Sequence, residues 1–192
     1  MSDPSAGGSE QPVAFDELVA LYEKKIFNVI YRILGDYEEA ADLTQETFIS
    51  AFKGFSRFRG DSQIYTWIYQ IAINHCRNRL RQRSRARRIP VDSLDQPKAW
   101  EDEEGGQQRE IADLSYAPHV LLEEKELHER IMDAVQSLAP DYRTVVVLRE
   151  LQGLSYNEIA EVTGLSLDNV KTRLSRARGM LRRKLEPYYK QD

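Results

Sequence analysis

The stretch from Ser155 to Lys184 constrains the fold of this chain more than any other. Ser155 and Glu158 stand three residues apart, the spacing at which a helix-capping serine and a third-position glutamate satisfy each other's backbone amides. Gly164 then supplies a tight turn after that short helix. Ser166 then offers a cap to a second, longer helix, on which Val170, Leu174, Ala177, Leu181 and Leu185 recur at helical spacing. From Lys171 to Lys184 this helix carries seven basic residues (Lys171, Arg173, Arg176, Arg178, Arg182, Arg183, Lys184) and no acid. A short helix, a tight glycine turn and a cationic helix with one apolar stripe describe a helix-turn-helix whose second helix meets phosphate and base edges.

The rest of the chain is acidic. Net charge is −4 over 192 residues, so removing the +7 of that segment leaves −11 elsewhere. Opposite charges are sorted along the sequence rather than mixed. The single cysteine, Cys76, excludes an internal disulfide and an all-cysteine zinc site. No apolar run is long enough to span a bilayer, and the first residues lack a signal-peptide core. The reading is a cytoplasmic chain with no membrane insertion.

The periodicity is helical almost throughout, which predicts an all-α fold of two small domains joined by a flexible acidic linker. Residues 1–14 read as a disordered tail. Residues 15–90 form the first domain, with one helix from Phe15 to the stop at Gly35, a second from Tyr37 to Phe55, and a third from about Gln63 into an arginine-rich end. Residues 91–115 are the linker: from Asp92 to Asp113 there are eight acids against two bases, with little apolar periodicity. Residues 116–188 form the second domain, opening near Pro118, broken at Ala139-Pro140, and resuming from Tyr142 to Gln152 ahead of the helix-turn-helix.

In the first domain the faces are unusual. On the second helix Ala40, Leu43, Thr47, Phe48, Ala51, Phe52 and Phe55 fill the core side, and Asp42, Gln45, Glu46 and Lys53 the other, with Ile49 in the centre of the polar stripe. Ile49 fits either a lone surface apolar residue or a docking face with an apolar centre and charged rim. On the third helix Ile64, Trp67, Ile68, Ile71 and Ala72 face the core, flanked by Tyr65, Tyr69, Ile73 and Leu80. The remaining stripe of Thr66, Gln70, Asn74, Arg77 and Arg81 contains no acid, and seven arginines lie between Arg77 and Arg88. A helix dipole calls for far fewer cations than that, so the pattern points to phosphate. The loop before this helix interleaves Phe58 with Arg57 and Arg59, a stacking surface beside backbone charge of the kind single-stranded nucleic acid uses. Trp67 reads as core, and Phe58 fits either role.

With these residues in view, the chain resembles the extracytoplasmic-function (ECF, group IV) sigma factors of the sigma-70 family. The resemblance rests on Ala41-Asp42-Leu43-Thr44-Gln45-Glu46-Thr47-Phe48, on Phe58-Arg59-Gly60-Asp61-Ser62, on Tyr65 to Asn74, on Leu154 to Ala160 and on Val170 to Arg178. It covers nearly all of Phe15 to Tyr188. It implies a promoter-recognising partner of core RNA polymerase, active in a stress or envelope response. Asp42, Gln45, Glu46 and Ile49 would grip the clamp helices of the largest subunit, with the flap of the second-largest as a further contact. Phe58, Arg59, Asp61, Ser62, Ile64, Tyr65, Gln70, Asn74 and Arg77 would meet the minus-ten element, where an unstacked base enters a pocket at an energy cost that base-specific contacts offset. Lys171, Thr172, Arg173, Ser175, Arg176 and Arg178 would bind the minus-thirty-five duplex. Arg176 would be the guanine reader, and Arg173 and Arg178 would lie towards phosphate. Asp168, where the family often has a small residue, departs from the pattern. An anti-sigma factor is the further partner implied.

Two other readings compete. An autonomous helix-turn-helix regulator would need a symmetric dimer face, and no heptad run or broad apolar stripe supplies one. An enzyme would need a reactive constellation, and there is no phosphate-cradling glycine loop, no HExxH and no nucleophile–base pattern. His75 and Cys76 are adjacent and so diverge by about 100° on a helix, a poor metal pair; His75 reads as a packed residue on the core side and Asp61 as a helix cap. No cofactor or metal is expected.

Overall fold

The computed structural model describes residues 15–58, 62–86 and 118–189, with side chains of the last segment from Leu127 onward. Seven α-helices and one π-helical turn account for the elements in those residues. The first half contains α1 (Phe15–Leu34), α2 (Tyr37–Phe55) and α3 (Ile64–Ala86). The second contains α4 (Pro118–Gln136), α5 (Pro140–Val146), the π-turn Val147–Leu151, α6 (Tyr156–Thr163) and α7 (Leu167–Tyr189).

Helix ends fall where local chemistry places them. Gly35 takes φ +75° and closes α1, and the Asp36 carboxylate then accepts from the Glu39 amide at 2.8 Å to open α2. Ser155 and Glu158 form the full capping box of α6, and Gly164, at φ +68°, supplies its left-handed end. The Asn169 amide donates to Ser166 Oγ at 3.3 Å at the start of α7. On α7 the stripe Val170, Leu174 and Ala177 is buried, and Leu181 packs against it. The second stretch of the C-terminal half starts at Pro140, two residues earlier than the periodicity predicts, and ends in a π-turn that sequence spacing does not announce.

The two halves meet in one hydrophobic cluster that runs from Leu18, Ile30 and Ile73 through Val145 and Leu148 to Ile159 and Leu174. Polar contacts bracket this junction. Arg143, on α5, donates Nη1 to the Ile33 carbonyl at the end of α1 and to Gln136 Oε1, both at 2.7 Å, and Nη2 to the carbonyls of Leu138, at 3.0 Å, and Gln136. Gln136 Nε2 in turn donates to the Arg32 carbonyl at 2.8 Å. The terminal carbonyls of α1, which have no partner inside their own helix, are thus capped from the other half. Burial pulls the Arg143 guanidinium below its ordinary pKa, and the nearby charge of Arg83 adds to this.

Three placements differ from the wheel reading. Phe52, assigned there to the core, is 66% exposed, with the Phe15 ring edge-on to it at 5.1 Å between centroids. Thr66, assigned to the open polar stripe, is buried to 1%. His75 is only partly covered; its Nε2 lies 3.1 Å from Ser50 Oγ and its Nδ1 3.5 Å from Glu46. Arg59, Asp61, Arg87, Arg88, the tail 1–14 and the linker 91–115 lie outside the described residues.

Candidate nucleic-acid interface

On α7 the buried stripe turns Lys171, Thr172, Ser175 and Arg176 outward, and all four are exposed. Arg173 and Arg178 behave differently. Arg173 Nη1 pairs with Asp141 of α5 at 3.2 Å. Arg178 donates Nε and Nη2 to Glu150 Oε1 at 3.0 and 2.7 Å and Nη1 to the Tyr156 hydroxyl at 3.5 Å. Its bonds to Glu150 and then Tyr156 hold the guanidinium pKa above the ordinary value. Both arginines therefore tie α7 to its own half, which leaves Arg176 as the outward guanidinium among the three. Asp168 sits 3.7 Å from Lys171 Nζ and offsets part of that lysine's charge at the helix entrance.

The arginine-rich end of α3 is also partly used within the chain. Arg83 forks onto Glu39 of α2 (2.8 and 3.2 Å) and donates to the Leu34 carbonyl at 3.2 Å, while Arg79 lies 3.7 Å from Glu39 and 4.0 Å from Glu46. Arg77 donates to the Thr163 carbonyl at 2.8 Å. The phosphate reading of the whole run thus narrows: among the described arginines, Arg81 and Arg85 are exposed. Gln70 and Asn74 are exposed one turn apart on the same helix. Beside them Ser62, Ile64 and Tyr65 are half-buried at its start. Phe58 packs on Trp67, with ring centroids 5.0 Å apart, so both aromatics build one wall. Gly54 makes room for it, since a Cβ there would stand 3.1 Å from Trp67 Cζ2.

Tyr65 and Tyr69 face the second half. The Tyr65 hydroxyl donates to Glu158, and the Tyr69 hydroxyl to Gln152 Oε1 at 2.8 Å. Sequence reasoning took Glu158 only as a cap and passed over Gln152, Gln136 and Arg143; the one available signal was an acid-free stripe flanked by tyrosines. Burial pushes Tyr69 up to about 12 and the Cys76 thiol also to about 12, so Cys76 stays protonated and inert. Bonds from Ser155 and then Tyr65 hold the Glu158 carboxyl below its usual range, and its acceptance raises Tyr65. A depressed carboxyl contributes stability that is present at neutral pH and lost as pH falls through its folded value. The Tyr65–Glu158 contact is therefore expected to persist at neutral pH and to loosen in acid. The Tyr65 ring resonances, followed by NMR from pH 7 down to about 3, report it. The expected result is a shift in wild type that Glu158→Ala abolishes.

On α2, Asp42, Gln45, Glu46 and Ile49 are exposed together, and Ile49 is 54% accessible at the centre of that acidic and amide rim. The exposed Phe52 extends this patch by one turn.

Sigma-70 region 2 matches residues 18–86, and Sigma-70 region 4 matches residues 128–181. The RNA polymerase sigma-H factor of Pseudomonas aeruginosa is 38% identical over 174 residues, covering 91% of this chain and 87% of that protein. The ECF RNA polymerase sigma-E factor of Escherichia coli K12 is 36% identical with the same coverage. The chain belongs to the ECF sigma factors of the sigma-70 family. Its fold agrees with the sigma factor RpoE crystallised with the anti-sigma factor NepR from Bartonella quintana, at TM-score 0.67 and 21% identity over 90% of this chain and 96% of that one. It also agrees with CnrH in complex with the cytosolic domain of CnrY, at TM-score 0.61 and 22% identity over 93% and 92%. As a sigma factor it serves RNA polymerase in transcription initiation, and the family is not an enzyme class. Among the described residues no helix is long and apolar enough to cross a membrane.

Proposed function

We propose that this sigma factor uses two physically distinct readers and one docking patch, divided between domains at 15–90 and 116–188 with residues 91–115 between them. Lys171, Thr172, Ser175 and Arg176 enter the major groove of the minus-thirty-five duplex, with Arg176 donating in bidentate fashion to guanine. Arg173 and Arg178 hold the reading helix in place and reach phosphate only from its sides. Phe58, Arg59, Asp61, Ser62, Ile64, Tyr65, Gln70, Asn74 and Arg77 form the minus-ten reader, in which an unstacked base of the non-template strand meets the Phe58–Trp67 wall and the Asn74 amide. The protein acts in the cytoplasm.

Asp42, Gln45, Glu46 and Ile49 dock on the clamp helices of the largest polymerase subunit. The observation that carries this reading is the exposed isoleucine inside a polar rim, beside outward hydrogen-bonding stripes on α3 and α7. Of the two solved structures of similar fold, one is a complex with the anti-sigma factor NepR and the other a complex with the cytosolic domain of CnrY. An anti-sigma factor is the further protein partner that fits the Ile49–Phe52 patch here. Ile49→Asp is expected to weaken binding to core polymerase by about 10- to 100-fold, the range of an interface hot spot, with the thermal midpoint unchanged. Fluorescence anisotropy with labelled protein measures it, and unchanged affinity removes Ile49 from the interface.

A further inference from the structure

We propose that Asp168 and Lys171 act together as one reader of a C·G base pair in the minus-thirty-five duplex. The carboxylate takes the cytosine amine and the ammonium takes the guanine of the same pair. This rests on the assignment of α7 to the major groove and adds a base pair to what that helix reads. Asp168 stands three, four, seven and eight residues before Lys171, Thr172, Ser175 and Arg176, so the five share one face of the helix. All five are exposed. The buried stripe of Val170, Leu174 and Ala177 turns that face outward, and the Asn169 amide, donating to Ser166 Oγ at 3.3 Å, sets where the helix begins. Asp168 is the one acid of the five and lies at the leading end, the part of a recognition helix that meets base edges.

Stability gives little reason for this pair. The Asp168 side chain is 93% exposed and that of Lys171 53%, and an ion pair at 3.7 Å so open to water contributes little. On a face turned to DNA, moreover, a carboxylate repels phosphate unless a base donor meets it. Base chemistry selects that donor. In the major groove cytosine presents its N4 amine and no acceptor. Guanine and thymine present acceptors to a carboxylate, and adenine places its N7 acceptor beside its N6 amine. Guanine, the partner of that cytosine, offers O6 and N7 to an ammonium, where thymine offers O4 alone. The cytosine amine and guanine O6 are hydrogen-bonded to each other, at about 2.9 Å between heavy atoms. A carboxylate and an ammonium 3.7 Å apart therefore face them side by side. Arg176 lies five residues beyond Lys171 and eight beyond Asp168. Reading-helix residues three to four apart reach successive bases, which places the C·G pair about one or two steps from the guanine of Arg176.

The test is transcription by holoenzyme reconstituted with the full chain, on a promoter series in which each upstream base pair is replaced by every alternative. Wild type is expected to favour C·G about tenfold at one position within about two base pairs of the one that Arg176→Ala flattens, the weight of one hydrogen bond to a charged group. Asp168→Ala and Lys171→Ala are each expected to flatten that same position and to keep the preferences elsewhere. Combined, they are expected to do no more there than either alone, as two halves of one reader. Should Asp168→Ala lower the thermal midpoint, Asp168→Asn retains the size of the side chain and sets a donor beside its acceptor. It is expected to move the preference at that position from cytosine to adenine. A cytosine preference that both Asp168 variants leave intact overturns the paired reader, and so does an equal loss on every promoter with no position flattened. Arg176→Ala separates the two levels. If it too alters preference at no position, the major-groove assignment of α7 fails. If it flattens its own position while the Asp168 variants flatten none, only the paired reader fails.

Discussion

Replacing Arg143 with methionine is expected to cost about 3 kcal/mol of unfolding free energy, the effect of stranding several part-buried acceptors at once. The guanidinium serves the Ile33, Gln136 and Leu138 carbonyls and Gln136 Oε1, and so closes the ends of α1 and α4 together. Methionine keeps the aliphatic reach and removes every donor. Urea unfolding followed by circular dichroism is expected to shift its midpoint down by about 1–2 M with the slope unchanged. Exposed Arg178 provides the contrast: its pair with Glu150 is half-exposed, and Arg178→Ala is expected to cost less than about 1 kcal/mol. Equal losses for the two variants would show that Arg143 is not the keystone of the junction.

Arg176→Ala is expected to reduce discrimination at one base pair of the minus-thirty-five element by about 5- to 150-fold, the value of one bidentate pair. The exposed outer face of α7 leaves this guanidinium directed to solvent, whereas Arg173 and Arg178 are committed to Asp141 and Glu150. The measurement is transcription by reconstituted holoenzyme on a promoter series in which each upstream base pair is changed in turn. The expected pattern is that the variant stops distinguishing bases at one position and keeps its preferences elsewhere. Uniform weakening across the series would assign Arg176 to phosphate.

Helix ends and the buried stripe of α7 were legible in the sequence because they depend on neighbours a few residues apart. Gly35, the Ser155–Glu158 box and Gly164 each act locally, and each stands where its chemistry predicts. Phe52 and Thr66 were misplaced for a related reason. A helical wheel divides faces by angle, but burial depends on what lies opposite, and Phe52 stays exposed beside the ring of Phe15 while Thr66 is fully buried. The π-turn was hidden because Val145 to Leu148 are all buried, so one extra residue in the turn leaves no gap in the apolar pattern.

Charge type and count pointed to phosphate, but Arg79 and Arg83 satisfy Glu39 and Glu46 on the adjacent helix, a pairing set by crossing geometry rather than sequence spacing. The junction between halves was least legible. Tyr65 and Glu158 stand 93 residues apart, and nothing periodic connects them. The polar outer stripes of α2, α3 and α7 were visible as faces from the start, and the fold adds which of their residues are already occupied.

Run-off transcription from a random promoter library with purified core polymerase, in the presence and absence of this protein, tests its role as a promoter-reading subunit most directly. Defined start sites are expected only when both are present, each preceded by a shared upstream duplex motif and a shared downstream motif at fixed spacing. Initiation at no site, or at the same sites without the protein, would contradict it.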